Sequence, residues 1–210
     1  MKTKFALEPK YDVANPQAGR SIAIRRYVLL SLLSMASVIC LSSAHATETA
    51  VNIPGPKIDA AMTGDANQAT AILAGGCFWG VQAVFQHTQG VLAAVSGYAG
   101  GDQMSAHYDD VSSGSTGHAE SVKITYDPHK ISYGKLLQIY FSVVQDPTQL
   151  NRQGPDSGTQ YRSVIFYQND EQRRIATSYI SQLDAAKVFP KPIVTQTVAL
   201  PVSSFYVAEQ

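Results

Sequence analysis

Cysteine is nearly absent: there are two in 210 residues, Cys40 and Cys77. That excludes a disulfide-dense scaffold and a four-thiolate zinc site. An excess of either charge is also absent, because 16 Lys+Arg balance 16 Asp+Glu. The chain therefore lacks the basic footprint of a nucleic-acid binder. It has no internal repeats and no low-complexity tracts. Its longest apolar run is fifteen residues, Tyr27–Leu41, short of the roughly 20 a membrane span needs. What is present is apolar side chain: 45% hydrophobic against 15% charged residues, which supports a packed core and excludes general disorder. The length suits one domain, or at most two small ones.

The apolar run follows Arg20, Arg25 and Arg26 and precedes Ala44-His45-Ala46. Basic residues, a short apolar run and an A-x-A site together predict a secretory leader over 1–46, cleaved after Ala46. An uncleaved anchor is the alternative, and Arg25-Arg26 leaves the twin-arginine route open. The residues before Arg20 are more than a leader needs, so a start codon assigned too early is a further alternative. Cleavage would leave 164 residues, with one cysteine and 10 Lys+Arg against 14 Asp+Glu. No stable membrane span would remain, and the expected location is the periplasm or cell envelope.

Residues 47–68 are rich in Ala, Asn, Pro and Gly and read as a flexible tether. The ordered domain is expected over 69–210. Ala71–Ala74 is a short apolar run ending at Gly75-Gly76, a buried strand and a turn. Phe78, Val81, Val84 and Phe85 recur at helical spacing. Val91–Val95 reads as a strand, and Glu120–Tyr126 alternates with period two. Ser132 is placed to cap a helix closed by Asp146-Pro147, and Asp170 to cap another. Ser163–Tyr167 and Ile193–Leu200 read as strands, the latter as the last. The first six elements match the βαββαβ, ferredoxin-like order, so the expected fold is a two-layer α+β domain with an added helix and strand. The connections 97–118 and 145–162 are long and polar; such loops usually carry function, and both should lie near Cys77.

Gly75-Gly76-Cys77-Phe78-Trp79-Gly80 sets a cysteine at a strand-to-helix turn. Free N–H groups at a helix N-terminus stabilise a thiolate there. Phe78 and Trp79, the only tryptophan, place aromatic faces beside the sulfur. The alternative is an inert thiol buried among core aromatics. Glu120, after Gly117-His118-Ala119, stands at a strand mouth. Burial there would hold its carboxyl protonated as a general acid, whereas exposure would make it an ordinary surface glutamate. Asn151–Ser163 is dense in hydrogen-bonding side chains, and Tyr108 lies in the other long loop. His87, His107, His118 and His129 could partner Cys77 in a hydrolase, but none lies in a hydrolase signature. No two histidines have the spacing of a helical zinc motif, so no metal is expected.

These motifs together resemble the peptide methionine sulfoxide reductase family, A type. The resemblance rests on GCFWG at 76–80, GYAGG at 97–101, TGHAE at 116–120, DPTQLNRQGPDSGTQYRSVIFY at 146–167 and FYVAE at 205–209. It covers nearly all of residues 70–209. The resemblance implies thiol-dependent reduction of methionine-S-sulfoxide, free or in proteins. Cys77 matches the nucleophile and Glu120 the acid. Tyr108 and Tyr161 match hydroxyls that hold the sulfoxide oxygen, and Asp156 a carboxylate of the active-site loop. Phe78 and Trp79 match the apolar wall that receives the substrate methyl. Cys77 would end as a sulfenic acid.

The chain departs from the family pattern in its cysteines. Ser112 stands where many relatives have a cysteine that resolves the sulfenic acid. The family usually continues past the position of Gln210, where a resolving cysteine could lie. Otherwise no cofactor is bound and an external thiol must regenerate Cys77, either a thioredoxin-like protein or a small thiol. The protein is expected to act as a monomer. An inactive module of the same fold that binds oxidised methionine is the alternative function.

Overall fold

The computed structural model describes residues 50–62 and 66–209. The predicted leader, Cys40 included, lies outside them. Six strands form one sheet: β1 (Ala69–Ala74), β2 (Val91–Ala99), β3 (Ala119–Tyr126), β6 (Val164–Tyr167), β7 (Gln196–Ala199) and β8 (Phe205–Val207). Their order is β7-β6-β1-β3-β2-β8. A two-strand hairpin, β4 (Arg152–Gln153) and β5 (Asp156–Ser157), sits between β3 and β6 in the chain. The helices are α1 (Phe78–Gln86), α2 (Tyr108–Ser112), α3 (Tyr133–Ile139) and α4 (Asp170–Ala185).

The centre of the sheet is the split βαβ arrangement. β3 lies between β1 and β2 and is antiparallel to both, and β6 pairs antiparallel with β1 on the other side. The α+β, ferredoxin-like expectation therefore holds. β7 extends the sheet in parallel beyond β6, and β8 closes the opposite edge against β2.

β1 reads as a continuous apolar run because both of its faces are covered. Ala71 and Leu73 join the main core, while Ile72 and Ala74 join a second cluster with Val164, Phe166 and Phe205. In α1, Phe78, Val81 and Phe85 recur at 3.6-residue period and are buried against the sheet. Full burial of Phe85 stabilises the fold by about 1.5–3 kcal/mol, and truncation to alanine would cost roughly 3–5 kcal/mol. In β3, Val122, Ile124 and Tyr126 share the core face with Glu120, because strand side chains alternate.

Several boundaries differ from the sequence reading. β2 runs on to Ala99, so it takes up the first part of the expected 97–118 loop. Gly97 permits this: a side chain there would meet the Tyr206 carbonyl and the Phe205 ring of β8. The last strand is β8 rather than Ile193–Leu200, whose hydrogen-bonded part is only Gln196–Ala199. Ser132 caps α3 by accepting from Lys135 N–H at 3.1 Å, as its position suggests. The cap of α4 is Asn169, which accepts from Gln172 N–H at 2.8 Å; Asp170 falls in the first turn.

The expected tether needs correction over its described part. Ile53 is buried in the main core. Val51 N–H donates to the Ser142 carbonyl at 2.8 Å, and the Tyr179 hydroxyl donates to the Pro54 carbonyl at 2.6 Å. Asp59 accepts from Gly134 N–H at 2.7 Å and from the Ser132 hydroxyl. A carboxylate at the start of α3 is favoured by the unpaired N–H groups there. A composition rich in small residues, Pro and Gly thus concealed one apolar anchor and one capping acid.

Candidate active site

Cys77 is the residue immediately before α1, at the end of the turn from β1. Gly76 takes φ of +92°, a conformation open to glycine and costly for other residues. A Cβ there would lie 2.7 Å from the Cβ of Gln153. The missing side chain thus lets the β4–β5 hairpin press against the cysteine turn. Gln153 Oε1 accepts from Asp146 N–H at 3.2 Å, which ties the hairpin back to the loop after α3. That hairpin carries Asp156, and the turn after it carries Tyr161.

Glu120 meets Cys77 from β3. It is only 4% exposed, and its Oε2 accepts Phe78 N–H at 3.0 Å. The acid is thereby held against the first N–H of α1, next to the cysteine. Burial raises its pKa, the Phe78 N–H opposes that rise, and Asp156 adds to it. The shift is toward the neutral carboxyl, the direction a proton donor requires.

The Cys77 thiol, half-buried and free, also lies above its usual value. Burial is the main cause; hydrogen bonds from the N–H groups of Trp79 and Gly80 pull the other way, and Glu120 and Asp156 push up. The helix N-terminus therefore acts as the sequence suggested, but desolvation and the two acids outweigh it. Tyr161 is raised by burial and then by Glu120, Asp156, Tyr108 and Cys77, so all four lie within electrostatic reach of its hydroxyl.

The aromatic pair divides. Phe78 is 2% exposed and packs on Tyr98 at 5.8 Å between ring centroids. Trp79 is 68% exposed and borders a groove with Gln82, Ser96, Val207 and Glu209. Both long loops reach the site. Tyr108 opens α2 in the first, is half exposed, and has its hydroxyl among the groups acting on Tyr161.

Three residues that sequence reasoning left without a role hold the loops in place. Arg162 donates to the carbonyls of Gly117 (2.9 Å), His118 (3.1 Å) and Thr159 (2.8 Å), joining the hairpin loop to the mouth of β3. His118 is buried and its Nδ1 accepts Gly101 N–H at 3.2 Å, so Nε2 bears the proton and donates to the Asp102 carbonyl at 2.9 Å. Glu209 accepts from Tyr98, His107 and Tyr108. His87 turns its Nδ1 to the Ala83 carbonyl. The ring hydrogen bonds of His87, His107 and His118 are thus made to groups other than Cys77, which gives the hydrolase reading no support from them. Among the described residues, no group of three or more His, Cys, Asp or Glu could hold a metal ion.

The site thus gathers a buried carboxyl held against a helix N-terminus, a free thiol, two tyrosines and a second acid. The family model for peptide methionine sulfoxide reductase matches residues 69–210, and the chain belongs to that family, A type, and to its oxidoreductases. It is 69% identical over 126 residues to peptide methionine sulfoxide reductase MsrA 2 of Mesorhizobium japonicum, covering 60% of this chain and 65% of that one. It is 46% identical over 159 residues to the Synechocystis protein of the same name, covering 75% and 73%. The fold is similar to Mxr1 of Saccharomyces cerevisiae in reduced form, with TM-score 0.61 and 29% identity over 73% of this chain and 86% of that one.

Proposed function

We propose that this chain reduces methionine-S-sulfoxide, free or in proteins, with Cys77 as nucleophile and Glu120 as acid. The observation that carries this reading is the bond from Phe78 N–H to Glu120, which sets a buried, neutral-leaning carboxyl beside the thiol. The Cys77 sulfur attacks the sulfoxide sulfur while Glu120 protonates the sulfoxide oxygen. Tyr108 and Tyr161 donate to the same oxygen, and Asp156 organises the surrounding polar groups. The sulfoxide S–O bond and the transient S–S bond then break as the oxygen passes, as hydroxyl, to the Cys77 sulfur, and the thiol proton replaces the one Glu120 gave. The sulfoxide sulfur gains two electrons and departs as the thioether, and the Cys77 sulfur loses two and remains as a sulfenic acid. Trp79, backed by Phe78, offers an apolar wall to the substrate methyl.

Cys77, the one cysteine within residues 47–210, leaves the second half of the cycle to thiols from outside these residues. One external thiol condenses with the sulfenic acid to a mixed disulfide and water, and a second releases Cys77 and leaves as the external disulfide. The reductant is a thioredoxin-like protein or a small thiol, and no bound cofactor takes part. The leader read over 1–46 supports action on oxidised proteins of the periplasm or envelope, by a monomer freed after Ala46. Among the described residues no helix is long and apolar enough to cross a membrane.

Steady-state turnover of the S and R sulfoxides with dithiothreitol tests this. Wild type should reduce the S form, and Cys77→Ser should lose turnover while keeping its fold. A mass shift for sulfenic acid on Cys77 after one sulfoxide equivalent is the companion result. Retained activity in Cys77→Ser would overturn the reading, and absence of turnover in wild type would favour the inactive binding module.

A further inference from the structure

The FYVAE motif at 205–209 has no part in the reaction as written, yet its last residue lies against the site. Glu209 Oε1 accepts Tyr108 N–H at 3.2 Å and faces His107 Nδ1 at 3.0 Å. Its Oε2 accepts the Tyr98 hydroxyl at 3.2 Å. All three partners donate toward it, so an ionised carboxylate, which only accepts, suits the position.

We propose that Glu209 is a positioning residue that sets where the Tyr108 hydroxyl stands over Cys77. The proposal rests on the role given to Tyr108 above.

Tyr108 is the first residue of α2, a helix of five residues whose preceding residue, His107, makes no side-chain cap. The Tyr108 N–H, one of the free donors at the helix start, is met by Glu209, which follows the edge strand β8. The other end of the clamp is rigid. Tyr98 is fully buried, its ring packs on Phe78, and it stands opposite Glu120 in the β2–β3 register. One carboxylate therefore links the exposed loop that carries Tyr108 to the strand pair that carries the acid. The proton donor and the oxygen-holding hydroxyl are referred to the same frame. His107 and Glu209 are themselves exposed, with side-chain exposures of 65% and 47%. Their pair adds little to overall stability, so its effect is local orientation.

The test uses the full chain and four variants: Glu209→Ala, Glu209→Gln, Tyr108→Phe and the double Glu209→Ala/Tyr108→Phe. Turnover of methionine-S-sulfoxide with dithiothreitol is measured for each. Glu209→Ala should lower kcat about tenfold, the scale of a small misplacement of a reacting group, with KM nearly unchanged. Glu209→Gln should recover part of the loss, because its amide oxygen can still accept Tyr108 N–H. In the Tyr108→Phe background, Glu209→Ala should cost almost nothing further, because the hydroxyl it orients is gone. A wild-type kcat in Glu209→Ala, with Tyr108→Phe slow, overturns the positioning role alone. A second full loss in the double variant does so too. A wild-type kcat in Tyr108→Phe overturns the role of Tyr108 and this proposal with it. If Glu209→Ala fails to fold, Glu209→Gln carries the same comparison.

Discussion

Replacing Glu120 by glutamine separates two jobs of one carboxyl. The amide oxygen can still accept Phe78 N–H, so the buried donor at the start of α1 stays satisfied. Alanine would instead strand that N–H, at a cost of about 1–3 kcal/mol. What glutamine cannot do is give up a proton. Loss of a positioned acid or oxyanion donor costs roughly a hundredfold to a thousandfold in rate, about 2.7–4 kcal/mol of barrier. Stability should move the other way. Burial raises the Glu120 carboxyl above its ordinary 4.5, so the native state resists its ionisation. Wild-type stability therefore falls as pH rises from the ordinary value through the raised one, and the deficit persists above it. Glu120→Gln lacks that slope. Its melting temperature should equal or exceed wild type at neutral pH, and the gap should close below the ordinary carboxylate value. The variant also removes one of the charges that raise Cys77, so the pH midpoint for alkylation of the thiol should drop. Single-turnover rates, melting curves and iodoacetamide rates against pH read all three. A single-turnover rate within about threefold of wild type, with an unmoved alkylation midpoint, would refute the acid role and the coupling together.

Tyr161→Phe should slow the single-turnover step by roughly tenfold to a hundredfold with KM little changed, because its hydroxyl is needed once charge develops on the oxygen. Gly76→Ala should cost about 1–3 kcal/mol, through the positive φ and the contact with Gln153; at roughly 2–4 °C per kcal/mol the melting temperature reports it. Turnover should fall with it, as the hairpin carrying Asp156 shifts. Tyr179→Phe removes the bond to the Pro54 carbonyl and should cost about 1 kcal/mol. Hydrogen exchange over residues 51–57 should quicken while the rate at saturating substrate stays the same.

Local sequence carried much of the fold and the reacting groups. The alternation of β3 put Glu120 on the face of Val122, Ile124 and Tyr126, and the spacing of Phe78, Val81 and Phe85 set α1 on that face. The glycine frame of Cys77 signalled a turn with close approach, and Gly76 shows both. Where reading failed, the deciding partner was remote. Asn169 outcompeted Asp170 by one residue. Ile53, Pro54 and Asp59 looked like tether because their partners, in and before α3 and in α4, come some seventy or more residues later.

By itself the sequence determined that Cys77 is the one cysteine within residues 47–210, that it sits between a strand and a helix, and that glutamate and tyrosine motifs accompany it. Those are statements about residue type and neighbours along the chain, where periodicity and glycine placement act. Only the tertiary structure decided the proton inventory. Burial of Glu120 and Cys77 together, with Asp156 brought over by the hairpin, raises both acids against the pull of the helix N-terminus. It also decided which remote residues hold the loops: Arg162 on three carbonyls, His118 between two backbone groups, and Glu209 on Tyr98, His107 and Tyr108. Desolvation and long-range hydrogen bonds depend on what packs alongside, and no local pattern in the chain encodes that.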